Sequence, residues 1–320
     1  ALRWKSDGSR LVTGSLCGVV DIYDAALRRY MLKADFECTY TSQSSIVVKK
    51  LSDPSVRIAF KSRYSSEIQR IALHQKRFVV VHTSDTLMVG DMLSGKTSEV
   101  PWTYAPASTS NKKGQSSNAS SVDKEKYYFE DNSCMIFEKD KALLTLIEYG
   151  SNTPLEPLRT EYMSPHLISV RMGEARNKME QPAKKIAYLL DAQAIRVMDL
   201  HRGAEEASIN HDTKIDWLEL NGRGTKLLFR DKRRALHLYD IQTQQRYTLL
   251  NFCNYVQWVP DSDVVVAQSR RTLCVWYSID NPKDVTNFPI NGDVEQIERT
   301  EGRTEVLIDE GISKQTVSLD

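Results

Sequence analysis

The chain lacks most of the features that announce chemistry. Its five cysteines, Cys17, Cys38, Cys134, Cys253 and Cys274, are odd in number and scattered, with no CxxC pair. No histidine and cysteine stand at zinc-ligand spacing, which excludes the common zinc modules. Cys17, Cys134 and Cys274 fall inside apolar strand patterns and are expected to be buried, reduced thiols of a cytosolic type. The formal net charge is only +1, so no global field draws the chain to nucleic acid or anionic membrane. Any electrostatic function must be local. No apolar run approaches the ~20 residues of a transmembrane helix, and no signal peptide is visible. Helical periodicity is weak throughout. Only Glu174 to Glu180 passes for a helical turn or two, and it is polar all round. Residue 1 is Ala and a strand pattern begins at once, as expected of a fragment of a longer chain.

What is present is one short sentence, repeated. RWKSDGSRLVTGSLCGVVDIYD, DWLELNGRGTKLLFRDKRRALHLYD and QWVPDSDVVVAQSRRTLCVWY share a rhythm of strand, turn, strand, turn, strand. The strands are short and rich in β-branched and aromatic residues, as in FVVVHT, TLMVGD, CMIF, LTLIEY, KLLFRD and DVVVAQ. Many are apolar at nearly every position, as befits strands covered on both faces. Turns such as Asn221-Gly222-Arg223-Gly224 and Pro260-Asp261-Ser262-Asp263 join first and second strands. With the polar segments at 103–123 and 174–184 set aside, the units have the length of four-stranded propeller blades. Eight strand groups begin near Leu2, Phe36, Arg70, Lys126, His166, Ile215, Tyr255 and Val294.

The expected fold is therefore all-β: a WD40-like β-propeller occupying residues 1–320 as one domain. Seven blades is the commoner solution and eight the counted one. The Gly-His and Trp-Asp signatures of strong WD repeats are mostly missing. The expectation thus rests on period and strand pattern, and a pair of stacked β-sandwiches is its competitor.

Catalytic motifs dissolve on inspection. His82-Thr83-Ser84-Asp85 holds the residue types of a hydrolase triad, but neighbours on one turn cannot aim at one another. Asn221 to Lys226 lacks phosphate-loop spacing and precedes a strand rather than a helix. His211, Asp212, Asp216 and Trp217 suit the buried hydrogen-bond network of a WD-type blade. With one histidine in that stretch, no metal site is expected. No catalytic residue and no cofactor site emerges. Asn118-Ala119-Ser120 matches a glycosylation sequon by coincidence.

Two surface features remain. The segment 103–123, TYAPASTSNKKGQSSNASSVD, is too poor in apolar residues to repay ordering and is expected to be disordered. The second feature is basic. Arg230, Lys232, Arg233 and Arg234 in one unit, and Arg270 and Arg271 in the next, occupy equivalent turns between second and third strands. Equivalent turns of a propeller emerge on one face. These residues are the candidate docking patch for an acidic partner, a tubulin tail or anionic headgroups, against a solvated charged rim as the bland alternative. No aromatic interleaving favours nucleic acid.

The wording of the whole chain resembles the intraflagellar transport protein 172 family. The resemblance runs in order through RWKSDGSRLVTGSLCGVV, VVVHTSDTLMVGD, PHLISVR, DWLELN, NFCNYVQWVPDSDVVVAQ and GRTEVLIDEG. It looks like the second of that family's two N-terminal propellers, ahead of a helical-repeat solenoid. The resemblance implies a non-catalytic scaffold of the intraflagellar transport B complex, serving anterograde transport and cilium assembly. It implies other B-complex subunits as partners, and location at the cilium or flagellum, basal body and cytoplasm. It carries over no catalytic residue. The segment 103–123 departs from the family pattern in length, as would suit a divergent protist source. The alternatives are a vesicle-coat-type propeller and, in another class, a hydrolase on a propeller scaffold.

Overall fold

The computed structural model describes residues 1–6, 10–24, 28–32, 35–102, 125–173, 184–300, 303–311 and 314–319. The polar segments expected at 103–123 and 174–184 lie outside these residues except for Lys184. The described residues form eight antiparallel sheets, with two 3-10 turns, at Lys139–Lys141 and Pro165–Leu167. The fold is all-β and propeller-like.

In every sheet the strands pair in chain order, each with its sequence neighbour. The first sheet comprises Leu2–Trp4, Arg10–Gly14 and Val20–Asp24; the second Arg28–Leu32, Phe36–Ser42, Ser45–Lys50 and Arg57–Lys61. The third is Ile68–His74, Phe78–Thr83, Thr86–Asp91 and Thr97–Pro101; the fourth Glu125–Phe129, Ser133–Glu138, Leu143–Glu148 and Leu158–Arg159. The fifth is Ile168–Met172, Lys184–Asp191, Ala194–Asp199 and Ala204–Asn210; the sixth Ile215–Leu220, Lys226–Asp231, Leu236–Asp240 and Gln245–Leu250. The seventh is Tyr255–Trp258, Val265–Ser269, Thr272–Trp276 and Thr286–Pro289; the eighth Asp293–Thr300, Arg303–Asp309 and Lys314–Ser318. Each of the eight strand groups read from sequence corresponds to one sheet. The second starts one strand earlier than expected, because RRYML at Arg28–Leu32 opens on two arginines and holds an apolar run of only three residues.

The chain divides into two compact units, Ala1–Ile136 with Leu146–Leu155, and Phe137–Thr145 with Glu156–Asp320. In the first, successive side chains of FVVVHT point to opposite faces of the third sheet. Val79 and Val81 pack with Phe36, Ile46, Val48 and Phe60 of the second sheet. Phe78 and Val80 pack on the other side with Cys134, Ile136 and Tyr149. The second unit repeats the device. Leu227 and Phe229 join Ala187, Ile195 and Val197 of the fifth sheet. Leu228, between them in sequence, joins Trp258, Val265 and Trp276 of the seventh. Val266 and Val275 in turn face Val306 and Ile308 of the eighth. The continuous apolar runs exist because these strands are buried on both faces.

Cys38, Cys134, Cys253 and Cys274 are buried free thiols, and burial pushes Cys253 up to about 12. Cys17 departs from expectation: it is exposed, in the turn before Val20–Asp24, with its Sγ 2.8 Å from Ser15 Oγ. The apolar letters around it belong to a turn and the strand after it, not to one strand.

Candidate functional site: a basic face and a buried histidine cluster

The two basic turns are held by buried neighbours while their side chains face solvent. In the sixth sheet Arg234 adopts a left-handed φ of 66°, which costs a non-glycine residue about 1 kcal/mol. Asp231, 3% exposed, compensates: its Oδ1 accepts from Ala235 N at 2.9 Å and its carbonyl from Arg234 N at 2.8 Å. Arg234 O then accepts from Cys253 N at 2.8 Å, tying the turn to the segment that enters the seventh sheet. In that sheet Arg270 is also left-handed, at φ 54°. The buried Gln268 amide spans its surroundings, Nε2 donating to Arg270 O at 2.8 Å, Gly292 O at 3.0 Å and Asp293 Oδ1 at 3.0 Å.

The two turns meet at a ring. Arg234 Cζ lies 5.7 Å and Arg270 Cζ 5.8 Å from the centroid of Phe252, a phenylalanine 38% exposed. Such cation–π contacts hold guanidiniums over an apolar surface without neutralising them. Lys232, Arg233, Arg234, Arg270 and Arg271 are exposed, and none is in an ion pair among the described residues. Arg230 differs. It lies within the strand Lys226–Asp231 and donates to Asp216 Oδ1 at 2.9 Å and to Asn254 O at 3.2 Å. It is committed to the sheet rather than to the exposed face. Phe252 escaped the reading of the sequence. Its only signal is an apolar letter between Asn251 and Asn254, where a connecting segment would be polar.

The histidine neighbourhood also differs from expectation. Asp216 pairs with Arg230, and Asp212 accepts from Gln193 Nε2 through its carbonyl. His211 instead reaches Asp231, its Nε2 lying 3.1 Å from Oδ2. Register supplies a third member. Phe229 and Asp231 stand two apart on one strand and so share a face. His237 is the cross-strand partner of Phe229, and Thr248 of His237, so all point the same way. His237 stacks on Phe229 at 4.9 Å and meets His211 edge-on at 4.8 Å. One ligand atom from each of His211, Asp231 and His237 lies within 4.8 Å of the others.

Charges follow from this packing. Arg246 Nη1 sits 3.2 Å from His211 Nδ1. A guanidinium only donates, so in the neutral ring Nδ1 accepts and the Nε2 proton goes to Asp231. Burial opposes the Asp231 charge, but the bonds from His211 and Ala235 outweigh it and hold the carboxyl below its usual range. Burial, reinforced by His211, takes His237 down to about 4. Its Nδ1 lies 3.2 Å from Thr248 Oγ1, while its Nε2 is buried with no hydrogen-bond partner.

A separate polar cluster joins His82 to the fourth sheet. Glu125 accepts from Trp102 Nε1 at 3.1 Å and from Tyr127 Oη at 2.5 Å, with His82 Nε2 at 3.4 Å. The Thr83 and Ser84 hydroxyls are spent on Thr86 and Asp85, so the triad-like run is a turn. Burial opposes ionisation of Glu125, yet the bonds from His82, Tyr127 and Trp102 bring it down to about 2. A carboxylate depressed from 4.5 to about 2 contributes stability above pH ~4.5 that is lost as pH falls through ~2. Glu125→Gln is expected to cost about 2 kcal/mol at pH 7 and much less at pH 2, by urea denaturation. An equal cost at both pH values would mean that the charge is not what stabilises.

No family model matches the chain. Curated relatives match it along its whole length. It is 49% identical over 322 residues to the intraflagellar transport protein 172 homolog of Danio rerio. It is 47% identical over 323 residues to intraflagellar transport protein 172 of Chlamydomonas reinhardtii, and 38% identical over 320 residues to intraflagellar transport protein osm-1 of Caenorhabditis elegans. Each match covers 100% of this chain and 17% of the relative. The chain thus spans about 17% of the length of the curated relatives it matches. From its first strand to its last sheet, the chain is homologous to one segment of intraflagellar transport protein 172.

Proposed function

We propose that this chain is a non-catalytic interaction module of the intraflagellar transport B complex, serving anterograde transport and cilium assembly and maintenance. Its partners are other B-complex subunits, and its place is the cilium or flagellum, basal body and cytoplasm. The observation that carries the reading is the whole-length match to relatives named as intraflagellar transport proteins. Those shared names also favour this reading over the vesicle-coat alternative. The structural support is physical. Sheets buried on both faces hold their turns still, so binding loses little entropy to loop ordering. The basic face around Phe252 is the docking surface: five cations are exposed there, and a partner's carboxylates would meet them without breaking an existing ion pair. The histidine cluster does not favour the hydrolase alternative, because Asp231 and His237 are buried and offer no open face to a substrate.

The test is capture from ciliated cells with the tagged chain, read by mass spectrometry, beside a variant carrying Arg233→Glu, Arg234→Glu, Arg270→Glu and Arg271→Glu. Native protein is expected to enrich intraflagellar transport subunits. The variant should keep its melting temperature and lose about tenfold or more of that enrichment, with native binding falling as salt rises. Equal enrichment by both would discard the basic face and keep the module. No enrichment by either would overturn the reading.

A further inference from the structure

We propose that His211, Asp231 and His237 form a binding site for a single divalent transition-metal ion of the zinc class, built into the sixth sheet. The donor set is two imidazole nitrogens and one carboxylate oxygen, which suits zinc, cobalt or nickel rather than magnesium or calcium. His211 Nε2 and Asp231 Oδ2 are 3.1 Å apart, close to the edge of a tetrahedral zinc site. One ligand atom from each residue lies within 4.8 Å of the others, so a point within ~2.8 Å of all three exists, and zinc–nitrogen bonds of about 2.0–2.1 Å need each ligand to move by less than about 1 Å.

Three independent features make this a built site rather than a chance grouping. His237 is 6% exposed and its Nε2 has no hydrogen-bond partner. A buried polar atom left so is costly, and a metal ion would satisfy it. The ligands are themselves oriented: Ala235 N holds the free oxygen of Asp231, and Thr248 Oγ1 lies beside His237 Nδ1. Such outer contacts fix ligand rings and carboxylates in metal sites. Finally, Phe229 lies against both rings, stacked on His237 and edge-on to His211, and excludes water from that side. Asp231 and His237 are buried and His211 partly so, and three protein ligands leave a fourth position for a water.

One contact opposes the ion, and it supplies a second test. Arg246 donates to His211 Nδ1, which keeps the proton on Nε2. Metal binding at Nε2 requires that proton to be lost there and one to be held at Nδ1. No net proton is released by the ring, but Arg246 must turn outward from an exposed position. Arg246→Gln removes a nearby positive charge and replaces an obligate donor with a shorter amide that can also accept, so it should tighten binding.

The experiment uses the 320-residue chain stripped with EDTA and titrated with Zn²⁺ and Co²⁺. One equivalent of Zn²⁺ is expected to raise the melting temperature, and Co²⁺ to give the visible bands of a four-coordinate nitrogen and oxygen site. His237→Gln should weaken the metal by about 100-fold, while His201→Gln, an exposed histidine away from the cluster, changes nothing. Arg246→Gln should tighten it by about tenfold. Absence of saturable 1:1 uptake overturns the proposal. So does uptake unchanged in His237→Gln. Should His237→Gln fail to fold, the Co²⁺ spectrum of the native chain and the response to Arg246→Gln decide alone: a silent spectrum, or weaker binding in Arg246→Gln, rejects the site.

Discussion

Replacing Asp91 with alanine is expected to destabilise the protein by about 3 kcal/mol at pH 7. Asp91 is fully buried, yet ionised. Burial works against its charge, but four donors overcome that. Arg77 gives Nε at 2.7 Å and Nη2 at 3.0 Å; the amides of Leu93 and Ser94 give 3.1 and 3.2 Å. The carboxyl is held at about 2 as a result. Alanine strands all four donors, and Arg77, though also bonded to Asp131 and lying 4.7 Å from the Phe78 centroid, loses its buried partner. Asparagine separates the two contributions. It keeps an acceptor for the turn amides but not the charge, so its cost should be about half. The pH dependence has a definite sign. A pKa of about 2 against 3.8 unfolded gives stability that is present above pH ~3.8 and lost as pH falls through ~2. Urea midpoints for the native and Asp91→Ala proteins should therefore converge between pH 4 and pH 2. A constant gap across that window would assign the effect to packing alone.

Gly292→Ala should cost about as much by a different route. A Cβ on Gly292 would lie 2.2 Å from Asp309 O and 2.8 Å from Asp309 C. Both are backbone atoms of a paired strand, so neither can rotate aside. Nor can Gly292 retreat. Its carbonyl accepts from Gln268 Nε2, and Val294 N donates to Gln268 Oε1 at 2.8 Å, pinning the chain on both sides of Asp293. Overpacking with no relief costs about 3 kcal/mol. Gly222→Ala is the control, since nothing lies within 4 Å of its Cβ position and its φ is not left-handed. Thermal melts should show a loss of several degrees for the first variant and none for the second. Matching melts would mean that the Gly292 segment is looser than its contacts imply.

Strand pattern made the sheets legible because burial on both faces writes continuous apolar runs. Where such runs are short, the pattern is easily missed. Arg28–Leu32 opens on two arginines with an apolar run of only three residues, and its sheet was read as starting at Phe36. Around Cys17, apolar letters sit in a turn and the exposed strand beyond it. The basic turns were legible because charge clusters survive in one dimension, and their position between second and third strands follows from period alone. Arg230 was over-read: nothing in the letters tells that Asp216 on the adjoining strand takes its guanidinium. The histidine cluster was under-read for the same reason in reverse. His211 and His237 are separated by two strands, and only register brings Phe229, Asp231 and His237 onto one face. Phe252 becomes meaningful only when two distant arginines arrive on either side of it.

The sequential pairing within every sheet bears on how the protein is made. Among the described residues, no strand waits for a partner beyond the next one in the chain. Each sheet can zip up as it leaves the ribosome, needing only short loop closures. From the second sheet to the fourth, and from the fifth to the eighth, what it lacks at that moment is cover for one face, which arrives with the sheet translated next. Each new sheet is therefore both a product and a template. A stall in synthesis would expose one apolar face rather than an unfolded chain, and a holding chaperone need recognise only that one growing end.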